Sequence, residues 1–272
     1  MVRKLIYPVI VLALVACYYL WETKSNEAIS DQNLQEEINL KSDGDRTSEL
    51  TRNDFLPKSD NQIIHHKSYS LSYNEYHEQA DWTVHVLKKS DMTSANYSRP
   101  YFEIDNMVST GAATWRNYKN SGYDKGHLVP AADRKGSKEH HDETFLTSNI
   151  SPQNHDFNAG LWNRLEQKVR YYAQQHGSLY VVTGPVLKKG LKSIGSEHVS
   201  VPEQYYKILY RDGKDGPNLL AFLMDNEPSN KAIYNYITSV DTIESLTGID
   251  FFYQLPDDIE SKLEQERSSK GW

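Results

Sequence analysis

The chain has 272 residues, enough for one sizeable folded domain together with additional segments. Cys17 is the only cysteine, so an intramolecular disulfide and a cysteine-rich zinc site are both excluded. The formal net charge of −7 does not exclude a nucleic-acid substrate, because residues 86–170 contain 12 Lys and Arg against 10 Asp and Glu, a local net charge of +2.

Residues 1–21 have the composition of an export segment. Arg3 and Lys4 precede a run of 17 residues, 5–21, that is apolar apart from Pro8 and three tyrosines. Residues 14–17 also resemble a bacterial lipoprotein cleavage box, in which Cys17 would be lipidated. A buried helix is the simplest structural alternative, but the run lacks an amphipathic pattern.

Three export interpretations remain open for this segment: a lipoprotein anchored through Cys17, an uncleaved single-pass membrane anchor, and a cleaved signal. The length of 17 residues reaches the lower edge of the spanning range. All three predict an exported protein. The first two predict a chain tethered in the cell envelope, facing away from the cytoplasm.

Residues 22–61 are polar and carry ten acidic against five basic residues. Such a segment buries too little apolar surface to offset the entropy of ordering it, which predicts a disordered acidic tether. We expect the folded domain at 62–257, and a charged tail at 258–272.

Short runs rich in β-branched and aromatic residues predict strands in the folded region. They lie at 69–73, 82–87, 178–183, 205–210 and 219–224, and end in Gly, Pro, Asp or Asn. Few long helices separate them. The pattern therefore predicts an α+β fold with a central, largely antiparallel sheet and flanking helices.

The clearest helix begins near Asn158 and ends before Gly177. At roughly 100° per residue, Asn158 falls on its apolar stripe and Glu166 flanks the same face two turns on. Further helices are predicted at 230–238 and at 241–246, the latter closed by Gly248.

Two polar residues could carry chemistry. His127 follows Asp124-Lys125-Gly126, where Gly126 would allow a sharp turn and Asp124 could orient the imidazole; a structural histidine is the alternative. Asn158 suits a helix N-cap, but its carbonyl oxygen is also a ligand that Mg²⁺ accepts, and the two roles can coexist.

The histidine pairs His65-His66 and His140-His141 are tempting as metal ligands. Neighbouring residues do not share a face of a helix or a strand, so all four are predicted to lie at the surface.

Longer motifs carry a resemblance to a known family. Residues 121–133, 148–153 and 158–166, together with blocks at 69–73, 98–102, 182–186 and 246–252, are similar in order and spacing to the DNA/RNA non-specific endonucleases. This family of ββα-metal (His-Me finger) nucleases includes endonuclease G. The resemblance covers roughly residues 62–256.

The resemblance implies a role for each matching residue. His127 matches the general base, Asn158 the direct protein ligand of Mg²⁺, and Glu166 an acidic residue that holds water at the metal. Asn149 matches a residue that supports the site, and Arg99 the arginine that meets the phosphate. Asp124 and Lys125 belong to the same motif, but the family usually has arginine where Lys125 stands, which puts the phosphate grip there in doubt.

The sequence therefore predicts an enzyme: a Mg²⁺-dependent, sugar-non-specific endonuclease that hydrolyses DNA and RNA. Mn²⁺ or another divalent cation is the alternative cofactor. None of the contacts named above reads a base, so cleavage is expected to lack sequence specificity. The alternatives are a nuclease-like module that binds nucleic acid without cutting it, and a surface lipoprotein that binds another protein. The oligomeric state is not predicted.

Overall fold

The computed structural model describes residues 50–272. Its strands are β1 (Gln62–His65), β2 (Ser70–Asn74), β3 (Gln79–Lys88), β4 (Asp124–His127), β5 (Ile150–Gln153), β6 (Ser178–Pro185), β7 (Ser193–Ile194), β8 (Val199–Ser200), β9 (Gln204–Gly213), β10 (Gly216–Asp225) and β11 (Ile237–Thr238). Seven of them form one antiparallel sheet in the order β1-β2-β3-β6-β9-β10-β11. The pairs β4–β5 and β7–β8 form two separate ribbons.

The α-helices are α1 (Lys138–Glu143), α2 (Asn163–His176), α3 (Val240–Thr247) and α4 (Asp257–Glu264). A turn of π-helix, Phe157–Trp162, leads directly into α2. None of the helices within residues 50–272 combines the length and the apolarity that crossing a bilayer requires.

The large sheet separates two hydrophobic cores. Along β6, Leu179 and Val181 join the core that contains Leu165 of α2, whereas Tyr180 and Val182 point to the opposite side. That second core contains residues of α3 and α4. Since the residues of the strand alternate between the two cores, both faces of the sheet are covered, which explains its nearly continuous apolar strands.

The predicted fold class is confirmed. All five predicted strands are present in the antiparallel sheet: four are longer than predicted, and the one predicted at 69–73 lies one residue later, at Ser70–Asn74. The predicted end of α2 is also correct: Gly177 follows it with φ 87°, and its N–H donates to the carbonyl of Ala173. Gly248, in the left-handed conformation with φ 71°, likewise closes α3.

The helix predicted at 230–238 is wrong. That segment contains a turn of 3₁₀-helix, Ile233–Tyr236, followed by the two residues of β11. Thr238 pairs with Ala221 and Ile237 with Phe222 at the edge of β10. Strand β10 would otherwise have an unpaired edge, and the β-branched residues Ile237 and Thr238 favour pairing with it. This pairing stabilises the segment more than a helix would.

The packed region begins before the predicted boundary at residue 62. The ring of Phe55 lies 4.7 Å from that of Tyr210 and 5.6 Å from that of Tyr180, measured between centroids. The N–H of Lys58 donates to the carbonyl of Asp250 over 3.0 Å. Within the predicted tether, residues 50–61 therefore pack against the second core, because Phe55 and Leu56 supply the apolar surface that the rest of the segment lacks.

The predicted tail at 258–272 also packs. Leu263 of α4 is buried in the second core, and the ring of Trp272 lies 5.4 Å from that of Tyr172. The high charge of this segment led to its prediction as a tail, although Leu263 and Trp272 pack against the folded domain. The predicted export segment at 1–21 and the part of the predicted tether at 22–49 lie outside the described residues.

The prediction that both histidine pairs lie at the surface is wrong for one member of each. His66 is buried and its Nε2 lies 2.9 Å from Oδ2 of Asp105, and His141 is buried beside Phe145. His65 is exposed and His140 is half-buried. Because neighbouring side chains point in different directions, a pair that cannot share a face places one member inward.

Candidate active site

The candidate site is built on a ribbon and a helix. Strand β4 pairs with β5 so that Asp124 faces Gln153 and His127 faces Ile150. The chain continues from β5 through the π-helical turn into α2, which completes a ββα arrangement. Every residue predicted for the site except Arg99 and Asn149 lies on β4, on the π-helical turn or on α2.

His127, at the end of β4, is held by aromatic rings. Its ring lies edge-on to Phe145 at 4.9 Å and 5.5 Å from Phe102, between centroids. Burial, together with the neighbouring charge of Arg99, lowers the pKa of His127 to about 3. The imidazole is therefore neutral near pH 7. Its Nε2 is buried and has no hydrogen-bond partner within residues 50–272, so this nitrogen is available to a ligand or a water.

Phe102 also contacts two positively charged side chains of the site. The guanidinium of Arg99 lies 5.6 Å and the Nζ of Lys125 5.5 Å from the centre of its ring. Both distances are typical of cation–π contacts. The ring thereby holds two cations beside His127, and brings Arg99 close to the β4 residue Lys125.

A cleft of about 690 Å³ opens next to these cations. It is lined by Arg99, Pro100, Tyr101, Phe102, Trp115 and Lys125. The side chain of Tyr101 is 93% exposed, and Trp115 is also exposed. Positive charge beside solvent-exposed aromatic rings is the combination that single-stranded nucleic acid requires of a binding groove.

Asp124 fixes the orientation of Asn158. The Nδ2 of Asn158 donates a hydrogen bond to Oδ2 of Asp124 over 2.9 Å. The same oxygen lies 3.0 Å from Nδ1 of His155, an exposed residue. Because the amide nitrogen is turned toward this carboxylate, the carbonyl Oδ1 of Asn158 is left to accept a further partner.

Asn158 is not the helix N-cap. It lies inside the π-helical turn, and the capping role belongs to Asn154, whose Oδ1 accepts hydrogen bonds from the N–H groups of Asp156 and Phe157 over 2.9 and 3.2 Å. The N–H of Asn158 is bonded to the carbonyl of Asn154. A π-helical turn adds a residue to the normal helical repeat and is frequent at functional sites. Here it contains the residue predicted to bind metal.

Gly126 leaves room for Gln153 rather than allowing a turn. Gly126 lies in the extended strand β4, so the predicted sharp turn is wrong. A Cβ atom at this position would lie 2.1 Å from Oε1 of Gln153, which packs directly over it. Both amide atoms of Gln153 are buried without a hydrogen-bond partner among the described residues.

These groups fit a hydrated divalent cation. Asn158 presents a neutral, hard oxygen, and the buried amide of Gln153 lacks partners that bound water or a phosphate would supply. Mg²⁺ keeps several waters and needs few protein ligands, which suits a site with a single carboxamide ligand. The residues present therefore fit the cofactor that the sequence predicted.

Glu166, on α2, is largely buried: its side chain is 15% exposed. Burial raises the pKa of its carboxyl to about 7, and the neighbouring charge of Lys207 opposes this shift. Its nearest ion pair is with Arg170, whose Nη1 lies 4.0 Å away. The same nitrogen donates to Oδ1 of Asp133 over 2.9 Å.

A buried charge network supports this part of α2. Asp133 accepts from Arg170 and pairs with His85, whose Nε2 lies 3.2 Å from Oδ2. Lys207 is fully buried, donates from Nζ to Oγ1 of Thr183 over 2.6 Å and lies 4.9 Å from the ring of Trp162. Burial lowers the pKa of Lys207 to about 8. The network couples α2 to strands β3, β6 and β9.

Asn149 is fully buried and its side chain is fully used. Its Oδ1 accepts from the N–H of Val129, and its Nδ2 donates to the carbonyls of Val129 and Thr144 over 3.0 and 2.9 Å. The backbone carbonyl of Asn149 also accepts from Leu128, the residue after His127. No polar side-chain atom of Asn149 remains for a substrate, so the geometry gives it a positioning role.

The structure brings five of the seven predicted residues into two groups at β4, and Glu166 and Asn149 belong to neither. Arg99, Lys125 and His127 meet around Phe102, and Asp124 contacts Asn158. Sequence reasoning missed Gln153 as a site residue and missed Phe145, Lys207 and the charge network entirely. Strand alternation could have indicated Lys207, a charge in the middle of an apolar strand; nothing in the sequence indicates that Phe145 meets His127.

Comparisons with known proteins agree with this geometry. The model of the family described as DNA/RNA non-specific endonuclease matches residues 46–258. A nuclease of Nostoc sp. is 34% identical over 221 residues, which cover 76% of this chain and 79% of that protein. Human mitochondrial endonuclease G is 30% identical, over 70% of this chain and 69% of that protein.

Further relatives share this likeness. The mitochondrial nuclease EXOG of Danio rerio is 32% identical over 72% of this chain, which spans 62% of the length of that protein. Among solved structures, the crystal structure of the EndoG/EndoGI complex, whose title concerns the mechanism of EndoG inhibition, matches with a TM-score of 0.68 and 27% identity. The match covers 74% of this chain and 89% of that one.

Proposed function

Because this chain belongs to the DNA/RNA non-specific endonuclease family and is an endonuclease that hydrolyses phosphodiester bonds, we propose that it depends on Mg²⁺, with His127 as general base and Asn158 as the metal ligand. The observation that carries the proposal is the hydrogen bond from Asn158 to Asp124, over 2.9 Å. This contact occupies the amide nitrogen and leaves the carbonyl oxygen of Asn158 to accept another partner.

His127 supplies the base. Its neutral imidazole, with a lowered pKa and an unpartnered Nε2, is in the protonation state that accepts a proton from water near pH 7.

Two cations bind the phosphate. Arg99 is exposed and can donate two parallel hydrogen bonds to phosphate oxygens, while Lys125, also close to Phe102, contributes a point charge. When bound at Asn158, Mg²⁺ supplies Lewis-acid stabilisation of the charge that builds up on the phosphate and on the leaving oxygen. Glu166 has the role of positioning water beside the ion.

The cleft accounts for a lack of sequence preference. Tyr101 and Trp115 offer exposed ring faces on which any base can stack, and stacking is tolerant of sequence. None of the cleft residues reads the Watson–Crick edge of a base or requires a 2′-hydroxyl. We therefore propose that DNA and RNA are both hydrolysed.

The test uses the purified full-length chain with plasmid DNA and with RNA, in Mg²⁺ and in EDTA. We expect cleavage of both substrates in Mg²⁺ alone, and at least a hundredfold lower rate for His127→Ala, the size typical of a lost general base. His140→Ala, a half-buried histidine of α1, is the matched control and should retain the wild-type rate.

Asn158→Ala distinguishes metal binding from substrate binding. It should abolish cleavage while the protein still retards DNA on a gel. Undiminished cleavage by Asn158→Ala would contradict the metal assignment, and retardation without cleavage by the wild-type protein would favour a binding module instead.

We also propose that the chain is exported and tethered to a membrane through residues 1–21 or a lipid on Cys17. The support is the basic start and the apolar run of that segment. Mass spectrometry of the N-terminus of the protein isolated from its cells tests this. A lipidated Cys17 or an intact apolar segment in the membrane fraction is expected, and a soluble chain in the cytoplasm would refute it.

A further inference from the structure

Three carboxylates converge on the side of the sheet opposite α2. Asp241 and Glu244 lie one turn apart on α3, and Glu264 lies at the end of α4. One oxygen of each residue lies within 4.8 Å of the others. We refer to Asp241, Glu244 and Glu264 as the acidic cluster.

Glu264 distinguishes this cluster from ordinary surface acids. Its exposure is 5%, and its Oε1 has no hydrogen-bond partner among the described residues. A buried carboxylate oxygen without a partner is unfavourable, because no hydrogen bond from the protein compensates for the lost hydration. This oxygen lacks a ligand.

No basic side chain neutralises the cluster. Within residues 50–272, none of its three members forms an ion pair with Lys, Arg or His. Arg267 donates to Oγ1 of Thr242 over 3.0 Å, and Lys58 pairs with Asp250 over 2.5 Å, so neither forms an ion pair with the cluster. The charges that act most strongly on Glu264 are those of other carboxylates.

The cluster is also held in place. Glu244 accepts the backbone N–H of Phe251 through Oε1 over 2.8 Å, and Phe251 is fully buried. Glu264 follows Leu263, which is anchored in the second core. Asp241 is exposed, so an ion has a path from solvent to the two inner carboxylates.

From this geometry we propose that the acidic cluster is a binding site for Ca²⁺, separate from the candidate active site. Carboxylate oxygens are the ligands that Ca²⁺ prefers, and the absence of His and Cys from the cluster disfavours zinc. Two oxygens on opposite sides of Ca²⁺ are about 4.6–5.2 Å apart, given Ca–O bonds of about 2.3–2.6 Å. The observed spacing fits on one such sphere, with water completing the shell.

The site would join α3 to α4. These two helices pack on the second core and are separated in sequence by the turn at Gly248 and by residues 249–256. An ion bound by both would cross-link them and would stabilise the folded chain in proportion to its occupancy. The alternative occupant of the cluster is a proton shared between Glu264 and a neighbouring carboxylate.

Binding is measured by equilibrium dialysis of Ca²⁺ against the full-length chain, first stripped with EDTA. Asn158→Ala serves to remove the ligand of the candidate active site. We expect this variant to keep one bound Ca²⁺ per chain, and Glu264→Gln to weaken binding at least tenfold. Loss of the Ca²⁺ in Asn158→Ala, or no Ca²⁺ bound by the wild-type chain, would overturn the proposal.

Thermal unfolding gives a second, independent readout. With Ca²⁺ at a hundredfold excess over its dissociation constant, the Tm of the wild-type chain should rise by about 5 °C or more over its value in EDTA. Glu264→Gln should melt in EDTA at least as high as the wild type, since a neutral amide replaces a buried carboxyl whose charged form is unfavourable, but should not respond to Ca²⁺. A Tm that responds equally to Ca²⁺ in both chains would mean that the ion binds elsewhere and would overturn the proposal.

Matched variants complete the test. Glu260→Gln makes the same charge change on the same helix, one turn before Glu264, and should keep the full Ca²⁺ response. If Glu264→Gln does not fold, Asp241→Asn, at an exposed position, should weaken Ca²⁺ binding instead. Nuclease activity in Mg²⁺ should be retained by Glu264→Gln, which separates this site from the proposed function.

Discussion

The carboxylate of Asp124 accepts a hydrogen bond from the amide nitrogen of Asn158 over 2.9 Å, joining the start of β4 to the π-helical turn before α2. Removing this acceptor should free the amide to rotate. Asp124→Ala should therefore raise the Mg²⁺ concentration needed for half-maximal cleavage about 10–100-fold, the effect typical of a residue that orients a metal ligand.

The control for this experiment is Asp156→Ala, which removes an exposed aspartate two residues before Asn158. It should leave the Mg²⁺ requirement near the wild-type value. An unchanged requirement in Asp124→Ala would mean that the orientation of Asn158 does not govern metal binding.

Lys125→Arg should preserve or raise the activity, because arginine adds a planar fork that binds phosphate with two hydrogen bonds. Lys125→Ala should weaken DNA binding and reduce the salt dependence of binding by about one unit of slope, as expected for one lost phosphate contact. Fluorescence anisotropy at several salt concentrations measures both. Lys262→Ala, an exposed charge on α4, should change neither, and a severe loss in Lys125→Arg would show another role for this position.

Gly126→Ala should displace the side chain of Gln153, since the new Cβ atom would lie 2.1 Å from Oε1. We expect a loss of about 1–3 kcal/mol in the free energy of unfolding, the usual size of overpacking, together with a fall in activity. Adding Gln153→Ala should restore most of the stability but not the activity. A Gly126→Ala protein with wild-type stability would indicate that Gln153 has an alternative position.

The stability of the fold should depend on His85 between about pH 6.5 and 4. Burial lowers the pKa of His85 to about 4. In this window the unfolded chain binds the extra proton, so the contribution is complete above pH 6.5 and is lost as the pH falls. The free energy of unfolding should decrease by about 3 kcal/mol across it, from about 1.4 kcal/mol per pKa unit.

The measurement compares the wild-type chain with His85→Gln by urea unfolding at pH 7, 5.5 and 4. The comparison uses the difference between the two chains, because the raised pKa values of Glu166 and Glu264 act in the opposite direction. The variant should lose less stability on acidification than the wild type. Parallel pH curves would rule out His85 as the responsible group.

The sequence predicted the fold well where local pattern and tertiary packing agree. The strands at 178–183 and 205–210 are apolar on both faces because they lie in the middle of a sheet covered on both sides. It failed at 230–238, where an open sheet edge, invisible in the sequence, determined the conformation. It failed again at residues 50–61 and 258–272, where isolated apolar residues such as Phe55 and Leu263 outweigh the surrounding charge.

The site shows the same division. The motifs predicted site residues on β4 and α2, where neighbours in sequence are also neighbours in space. They did not identify Gln153 or Lys207 as members of the site, nor the contact of Phe145 with His127, because these relationships form only after distant segments pack.

The contacts between residues 56–58 and residues 250–254 have a consequence for how the protein folds during its synthesis. Lys58 is bonded to Asp250, 192 residues later, and Gln254 donates to the carbonyl of Leu56, 198 residues earlier. Contacts of such large sequence separation form late and slow the folding of a domain. Residues 56–58 therefore cannot make these contacts until the ribosome has released residues 250–254. Until then the nascent nuclease domain is incompletely folded.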